Sequence, residues 1–158
     1  MRQKFLIIIL VPAVVLGVVK GPGIWKTYNC TVYKLGSAHP NAFKDLSISS
    51  AKIKAEVADN EISRQVGLGG RPCIGSAQAM LFVFDKPGYY AFWMKDTRFP
   101  LDMVWLDKEK RVVFVKSNVL SGTYPTSFVN KQAAQYVIEL NAGEATKLGI
   151  QDGLPVTF

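Results

Sequence analysis

Hydrophobic and polar residues alternate along several short segments of the chain with the period of a β-strand. Residues 48–57 predict a strand with one buried face and one wet face. The wet face is expected to carry Lys52, Lys54 and Glu56. Residues 134–140 predict a further strand, and residues 150–158 end the chain with a small one.

Residues 79–115 are rich in aromatic and β-branched side chains, which suit a pleated sheet with one buried face. A Pro-Gly pair within residues 85–88 predicts a tight turn, so that residues 79–85 and 89–95 form a hairpin. Residues 101–107 and 111–118 are expected to form the next antiparallel pair, around a polar reversal.

Two short helices complete the predicted elements. Asp59 is expected to cap a helix over residues 60–68 that ends in a glycine run, and Asn141 to cap a second one over 142–148. Residues 121–131 predict a long surface loop. The expected fold is mainly β with two short helices, a compact, antiparallel-dominated and barrel-like domain.

The N-terminus has the pattern of a membrane signal. Residues 1–4 carry two cations, and residues 5–19 form an uninterrupted apolar run of fifteen residues. As a helix this run would span about 22 Å, which suits a signal peptide and falls short of the ~30 Å hydrocarbon core. If Lys20 extends its side chain to the headgroups and Trp25 lies at the interface, the membrane span reaches about residue 25. No small-residue cleavage site follows the apolar run. We favour an anchor at residues 1–25 over a cleaved signal that would release the protein, with a tether at 26–41 and one β-rich domain at 42–158.

Charge follows the same division of the chain. The formal net charge is +7, but residues 1–26 contain four basic residues and no acidic one. The remainder has 15 basic and 12 acidic residues, a net charge of +3 without a basic run. Nucleic-acid binding usually needs a clustered basic patch, so no nucleic-acid partner is expected. The predicted location is the cell membrane, with the domain on its extracytoplasmic side.

Few residues suit nucleophilic or metal chemistry. His39, the only histidine, lies in the predicted tether, which weakens Cys-His, Ser-His-Asp and histidine-rich metal sites. Cys30 and Cys73 could form one disulfide, and their spacing leaves that open. No cofactor and no metal site are predicted, and whether the protein is an enzyme remains open.

A set of motifs resembles a known family. In order, they are residues 67–71 (GLGGR), 79–84 (AMLFVF), 92–97 (FWMKDT), 100–102 (PLD), 124–125 (YP) and 136–140 (YVIEL). Over about residues 46–158 the chain is similar to the exported bacterial and archaeal family called domain of unknown function one-nine-two. The resemblance implies a compact β-rich fold behind a signal or anchor, and it supplies no activity. The family usually has Asn at the position of Asp96.

Polar residues set among aromatic ones at strand ends and turns are the candidates for a site. They are Arg71, Trp93, Lys95, Asp96, Thr97, Asp102 and Tyr124. Alternation places Trp93 and Lys95 on one face of their strand, which suits a ligand platform. Asp96 and Asp102 could converge as an acid–base pair, or Asp102 could simply pair with Lys95 or Arg71.

These residues favour a ligand-binding module of the cell envelope, in which Arg71, Trp93 and Lys95 hold a small or polymeric anionic ligand. An envelope assembly or interaction protein is the alternative, docking a partner through a sheet edge. A carbohydrate-directed hydrolase using Asp96 and Asp102 is a further alternative. The ligand and the oligomeric state are left open.

Overall fold

The computed structural model describes residue 30 and residues 42–158. The predicted anchor or signal, and the predicted tether apart from Cys30, lie outside these residues. Among the helices of the described residues, none combines the length and the apolar character needed to cross a membrane.

One curled sheet of seven strands forms a half-barrel. Its strands are β1 (Phe43–Ile48), β2 (Ala51–Ala58), β3 (Gln78–Gly88), β5 (Leu101–Leu106), β6 (Val112–Val119), β8 (Ala134–Asn141) and β9 (Val156–Thr157). A separate pair consists of β4 (Phe92–Trp93) and β7 (Ser127–Phe128). The helices are α1 (Glu61–Val66) and α2 (Glu144–Lys147), with a 3₁₀ turn at Ser121–Thr123.

The strand order is β6-β5-β8-β3-β2-β1-β9, and every neighbouring pair is antiparallel except β2 with β3. The two edges of the sheet meet at one end, where the Val112 N–H donates to the Leu154 carbonyl over 3.0 Å. The predicted class is confirmed: the chain is mainly β, barrel-like and antiparallel-dominated, with two short helices. The predicted pairing of residues 101–107 with 111–118 is also confirmed, by β5 and β6.

Hydrophobic residues cover both faces of the central strands. In β3, Ala79 and Leu81 point into a first core inside the curl, which all seven strands and α2 supply. Met80 and Phe82 alternate with them and point into a second core on the opposite face. This second core lies under the segment 67–75 and β4, so a strand here has no wet face.

The second core overturns the prediction for residues 48–57. Within this stretch Ile48 ends β1, a tight turn follows, and β2 begins at Ala51. Lys52 and Lys54 are exposed as predicted, but Glu56 is fully buried. The alternation along the strand was predicted correctly. The predicted exposure of Glu56 was wrong, because the segment that covers it, residues 67–75, is distant in sequence.

The predicted hairpin of 79–85 with 89–95 is also wrong. β3 runs on through Pro87 to Gly88, which is opposite Ala134 of β8. The register shifts between Val83 and Gly88, and such an irregularity accommodates a residue that has no N–H to donate. The segment after β3 therefore leaves the sheet, and β4 pairs with β7 inside the predicted surface loop.

Both helices begin later than predicted. α1 is capped by Asn60 instead of Asp59, and Asn60 forms a reciprocal capping box with Ser63. α2 begins after Gly143, while Asn141 remains part of β8. The existence of each helix was predicted correctly.

A disulfide joins Cys30 to Cys73, with the two Cα atoms 5.9 Å apart. The spacing of the two cysteines had left open whether they form this bond. Residue 30 is thereby held against the segment 67–75, which covers the second core.

Asp102 is a structural carboxylate, fully buried on β5. Its two oxygens accept hydrogen bonds from the backbone N–H groups of Asn118, over 2.7 Å, and Ala145, over 2.8 Å. The side chain therefore ties β6 and α2 to β5. One interpretation of the sequence paired Asp102 with Lys95 or Arg71. In the structure it pairs with neither of them.

Replacing Asp102 is expected to destabilise the protein. Asp102→Ala leaves two N–H groups without acceptors and should lower the free energy of unfolding by about 3 kcal/mol. Asp102→Asn keeps one acceptor oxygen and should cost less. Urea denaturation measures both variants, and equal stability of Asp102→Ala and the wild type would contradict this role.

Candidate functional site

A cavity of about 260 Å³ lies on the second-core side of the sheet, between α1 and residues 90–97. Five aromatic residues line it: Phe82, Phe84, Tyr90, Phe92 and Trp93. Its polar lining includes Arg64, Lys95, Thr97 and Glu139. The cavity therefore combines ring-shaped apolar surface with a few separate polar groups, as small-molecule sites do.

Glycines let backbone form one side of the cavity. Gly67 caps the C-terminal end of α1, and its φ of 51° is in the left-handed region. At Gly69 a Cβ atom would meet the Val66 carbonyl oxygen at 2.9 Å, so a side chain does not fit. The Gly70 N–H donates to the Asp96 carbonyl over 2.9 Å, which holds this segment against residues 94–97.

Asp96 has a conformational reason to be a short polar residue. Its φ is 57°, in a region that Asn and Asp tolerate better than most residues. An Asn, which the family resemblance led us to expect at this position, suits the same backbone. The side chain is exposed and lines a second, more open hollow beside the cavity, together with Arg98.

Glu139 is the most unusual group in the cavity. It lies on β8 between Met80 and Met103 of the neighbouring strands, and only 4 % of the residue is exposed. No hydrogen bond or ion pair joins its carboxyl to another residue within the described part of the chain, and the residue lines the cavity. Burial raises its pKa from 4.5 to about 8, and the nearby charge of Arg71 opposes this shift without cancelling it.

Arg71 is engaged with a second buried glutamate. Its two terminal nitrogens donate to the two carboxylate oxygens of Glu56, over 2.8 Å and 2.9 Å. Glu56 and Glu139 both lie opposite Met80, on the strands that flank β3. This bidentate pair fixes the segment 67–75 to the sheet and satisfies the charge of Glu56.

The structure brings three of the seven predicted site residues to the cavity: Trp93, Lys95 and Thr97. Tyr124 packs edge-to-face against Trp93, with ring centroids 6.3 Å apart. Arg71 lies behind the cavity wall, engaged with Glu56. Thr97 is almost buried, and its hydroxyl donates to the Lys95 carbonyl over 3.4 Å.

Asp96 and Asp102 do not converge. Asp96 is exposed near the cavity, whereas Asp102 is buried on the other face of the sheet with both oxygens occupied. The contacts of Asp102 leave no carboxylate oxygen free for an acid–base pair.

Sequence reasoning missed Glu139 and Arg64 as parts of the site. Glu139 interrupts an apolar strand, which is a usable signal once both faces of that strand are known to be buried. Arg64 donates to the carbonyls of Asp59 and Val83, and its guanidinium lies 5.2 Å from the Phe84 ring centroid. Neither contact follows from spacing along the chain.

Two solved structures share this fold. A protein described as a "putative transcription regulator" from Sinorhizobium meliloti 1021 has 25 % identity and a TM-score of 0.70, covering 78 % of this chain and 96 % of its own. A protein of unknown function from Novosphingobium aromaticivorans DSM 12444 has 24 % identity and a TM-score of 0.69, covering 84 % of this chain and 99 % of its own. No curated protein matches the sequence.

The family model DUF192, described as "Uncharacterized ACR", matches residues 44–158. This match confirms the resemblance that the motifs predicted over about residues 46–158. The chain therefore belongs to the DUF192 family.

Proposed function

We propose that this protein is a membrane-anchored, extracytoplasmic ligand-binding module of the cell envelope, and that its ligand occupies the aromatic cavity. The observation that carries the proposal is the largely buried Glu139, which lines the cavity and has no partner for its carboxyl among the described residues. Burial makes the charged form of this carboxyl costly, so a hydrogen-bond partner inside the cavity would be favourable. A bound molecule would supply the missing partner.

Glu139 also indicates which atom it would meet. With a pKa of about 8, its carboxyl is mostly protonated at neutral pH and offers an O–H donor. A carbonyl, hydroxyl or carboxylate oxygen of the ligand would accept that hydrogen bond. A cationic ligand is disfavoured, because Arg64 and Lys95 line the cavity and a protonated Glu139 offers no negative charge.

The size of the cavity limits the ligand. A volume of about 260 Å³ equals that of eight or nine water molecules at about 30 Å³ each. It lies just below the usual range for small-molecule sites, about 300–1,000 Å³. One substituted ring fits these dimensions, and a polymer would enter with a single terminal unit.

We assign the contact with an anionic group of the ligand to Lys95 and not to Arg71. Arg71 is neutralised by Glu56, whereas the exposed Lys95 forms no ion pair with any residue of the described chain. An anionic substituent on the ligand would meet Lys95 at the cavity mouth, while the ring contacts Trp93 and Phe92. Nothing comparable supports the hydrolase alternative, since Asp102 is fully engaged.

Two observations support the extracytoplasmic location. The apolar N-terminal run follows positive charge, which is the pattern of an exported protein with its cations left inside. The Cys30–Cys73 disulfide suits an oxidising compartment, where such bonds persist.

Glu139 is expected to make stability depend on pH. Between about pH 4.5 and pH 8 the folded state holds a proton that the unfolded chain releases, so stability falls as pH rises through this range. Each pKa unit corresponds to about 1.4 kcal/mol. Glu139→Gln should abolish this dependence and exceed the wild type in stability at pH 8.

Urea denaturation at a series of pH values measures this effect. Glu61→Gln, which replaces an exposed glutamate at the same cavity, is the matched control and should keep the wild-type profile. Parallel profiles for Glu139→Gln and the wild type would show that Glu139 titrates as an ordinary carboxyl.

Ligand binding is tested by a thermal-shift screen of the full chain against sugars, small ring-bearing carboxylates and amines. A true ligand at a hundredfold excess over its Kd should stabilise the folded state by about 2.7 kcal/mol. Trp93→Ala and Glu139→Met should each reduce the shift, since they remove the platform and the donor. Phe43→Ala, at an exposed aromatic residue outside the cavity lining, should retain it.

A shift that survives both cavity variants would place the ligand elsewhere. A screen in which only amines stabilise the protein would contradict the acceptor chemistry assigned to the ligand.

A further inference from the structure

We propose that the rim of the cavity docks onto the lipid bilayer, so that the cavity mouth lies at the level of the headgroups. This inference rests on the membrane anchor of the proposed function. The rim is defined here as Ile62, Val66, Trp93, Tyr124 and Lys95. Three independent features support it: the length of the tether, the place where it is attached, and the chemistry of the rim.

The disulfide shortens the tether. The predicted membrane span ends at Trp25, and the sheet region begins at Ala42, 17 residues later. Without the disulfide, these residues could extend over roughly 60 Å. Cys30 follows Trp25 by only five residues, a reach of about 18 Å. Since the Cα atoms of Cys30 and Cys73 are 5.9 Å apart, Cys73 is held near the membrane surface.

The attachment point belongs to the segment that builds the cavity. Cys73 is four residues from Gly69, which lines both the cavity and the neighbouring open hollow. Four residues span at most about 14 Å. Ile74, the residue after Cys73, packs in the second core beside Phe92 and Met94. The tether therefore holds the domain on the side of the sheet that carries the cavity.

The rim is apolar, aromatic and exposed. Ile62, Val66, Trp93 and Tyr124 have exposures between 48 % and 62 %. They are contiguous, because Val66 and Trp93 line the same cavity, Tyr124 contacts Trp93, and Ile62 lies one helical turn before Val66. Exposed apolar patches of this kind mark interaction surfaces.

The composition of the rim favours a bilayer as its partner. Trp and Tyr are enriched at the membrane–water interface, where the ring is apolar and one atom is polar. Lys95 in the rim and Arg98 beside it add two positive charges, and the two negative charges of Glu61 and Asp96 offset them. Apolar insertion, with the short tether, therefore contributes more than attraction to anionic lipid.

Docking would also explain how a poorly soluble ligand reaches the cavity. A mouth at headgroup level admits an amphiphile of the membrane directly, and its ring would enter between Trp93 and the glycine segment. Glu139 then meets the polar oxygen of that molecule away from water.

The experiment uses the full chain in vesicles of phosphatidylcholine with one quarter phosphatidylglycerol. The chain has three tryptophans, and Trp25→Phe leaves only Trp93, which is exposed, and Trp105, which is fully buried. Vesicles that contain phosphatidylcholine brominated near the headgroup should quench Trp93. Trp93→Phe should remove this quenching and leave only the emission of Trp105.

Two further variants in the Trp25→Phe background test the cause of the quenching. Ile62→Ser combined with Val66→Ser should reduce it, since both exposed side chains insert with Trp93. Phe43→Ser, an exposed aromatic outside the rim, should leave it unchanged. Cys30→Ser combined with Cys73→Ser should also reduce it, and a thermal melt confirms that this variant remains folded.

Three results would overturn the proposal. If acrylamide quenches the fluorescence of Trp93 and brominated lipid does not, Trp93 faces water. Trp93 that is protected from both quenchers is covered by a protein, either a partner or a second copy of this chain. A chain that fails to float with the vesicles has no anchor. In each of these cases the thermal-shift result for soluble ligands stands separately.

Discussion

Burial of the central strands on both faces is the constraint from which the rest of this structure follows. β3, β5 and β8 carry one hydrophobic core inside the curl of the sheet and a second core on the opposite face. A charged side chain on such a strand has no access to bulk water, so it must be paired, hydrogen-bonded or neutral. The buried carboxylates of this protein represent these three solutions.

Asp102 is hydrogen-bonded, Glu56 is paired with Arg71, and Glu139 has a pKa high enough to be mostly neutral. The first two are structural, because they tie α2 and the segment 67–75 to the sheet. Glu139 holds nothing in place, and it is the one of the three that lines a cavity. The same physical constraint thus produces the scaffold and leaves, at the candidate site, a carboxyl that has no partner among the described residues.

The segment 67–75 connects this site to the rest of the cell envelope in our proposals. Its glycines form the cavity wall, Arg71 anchors it to the sheet, and Cys73 links it to residue 30. Because the DUF192 family is described as uncharacterized and a shared fold does not determine function, function must be argued from the site itself. In these proposals, an aromatic cavity with one largely buried acid, close to the proposed tether, favours a small amphipathic ligand.

The sequence by itself determined the features that depend on neighbouring residues: the strand periods, the β5–β6 pair, both helices, and the family. Alternation and turn chemistry, which are short-range, also predicted Trp93, Lys95 and Thr97 as site residues, and these three line the cavity. Only the tertiary structure decided the partners of β3, the burial of Glu56 and the separation of Asp96 from Asp102. Periodicity divides a strand into two faces, but whether a face is wet depends on segments distant in sequence, and here residues 67–75 cover the one that seemed exposed.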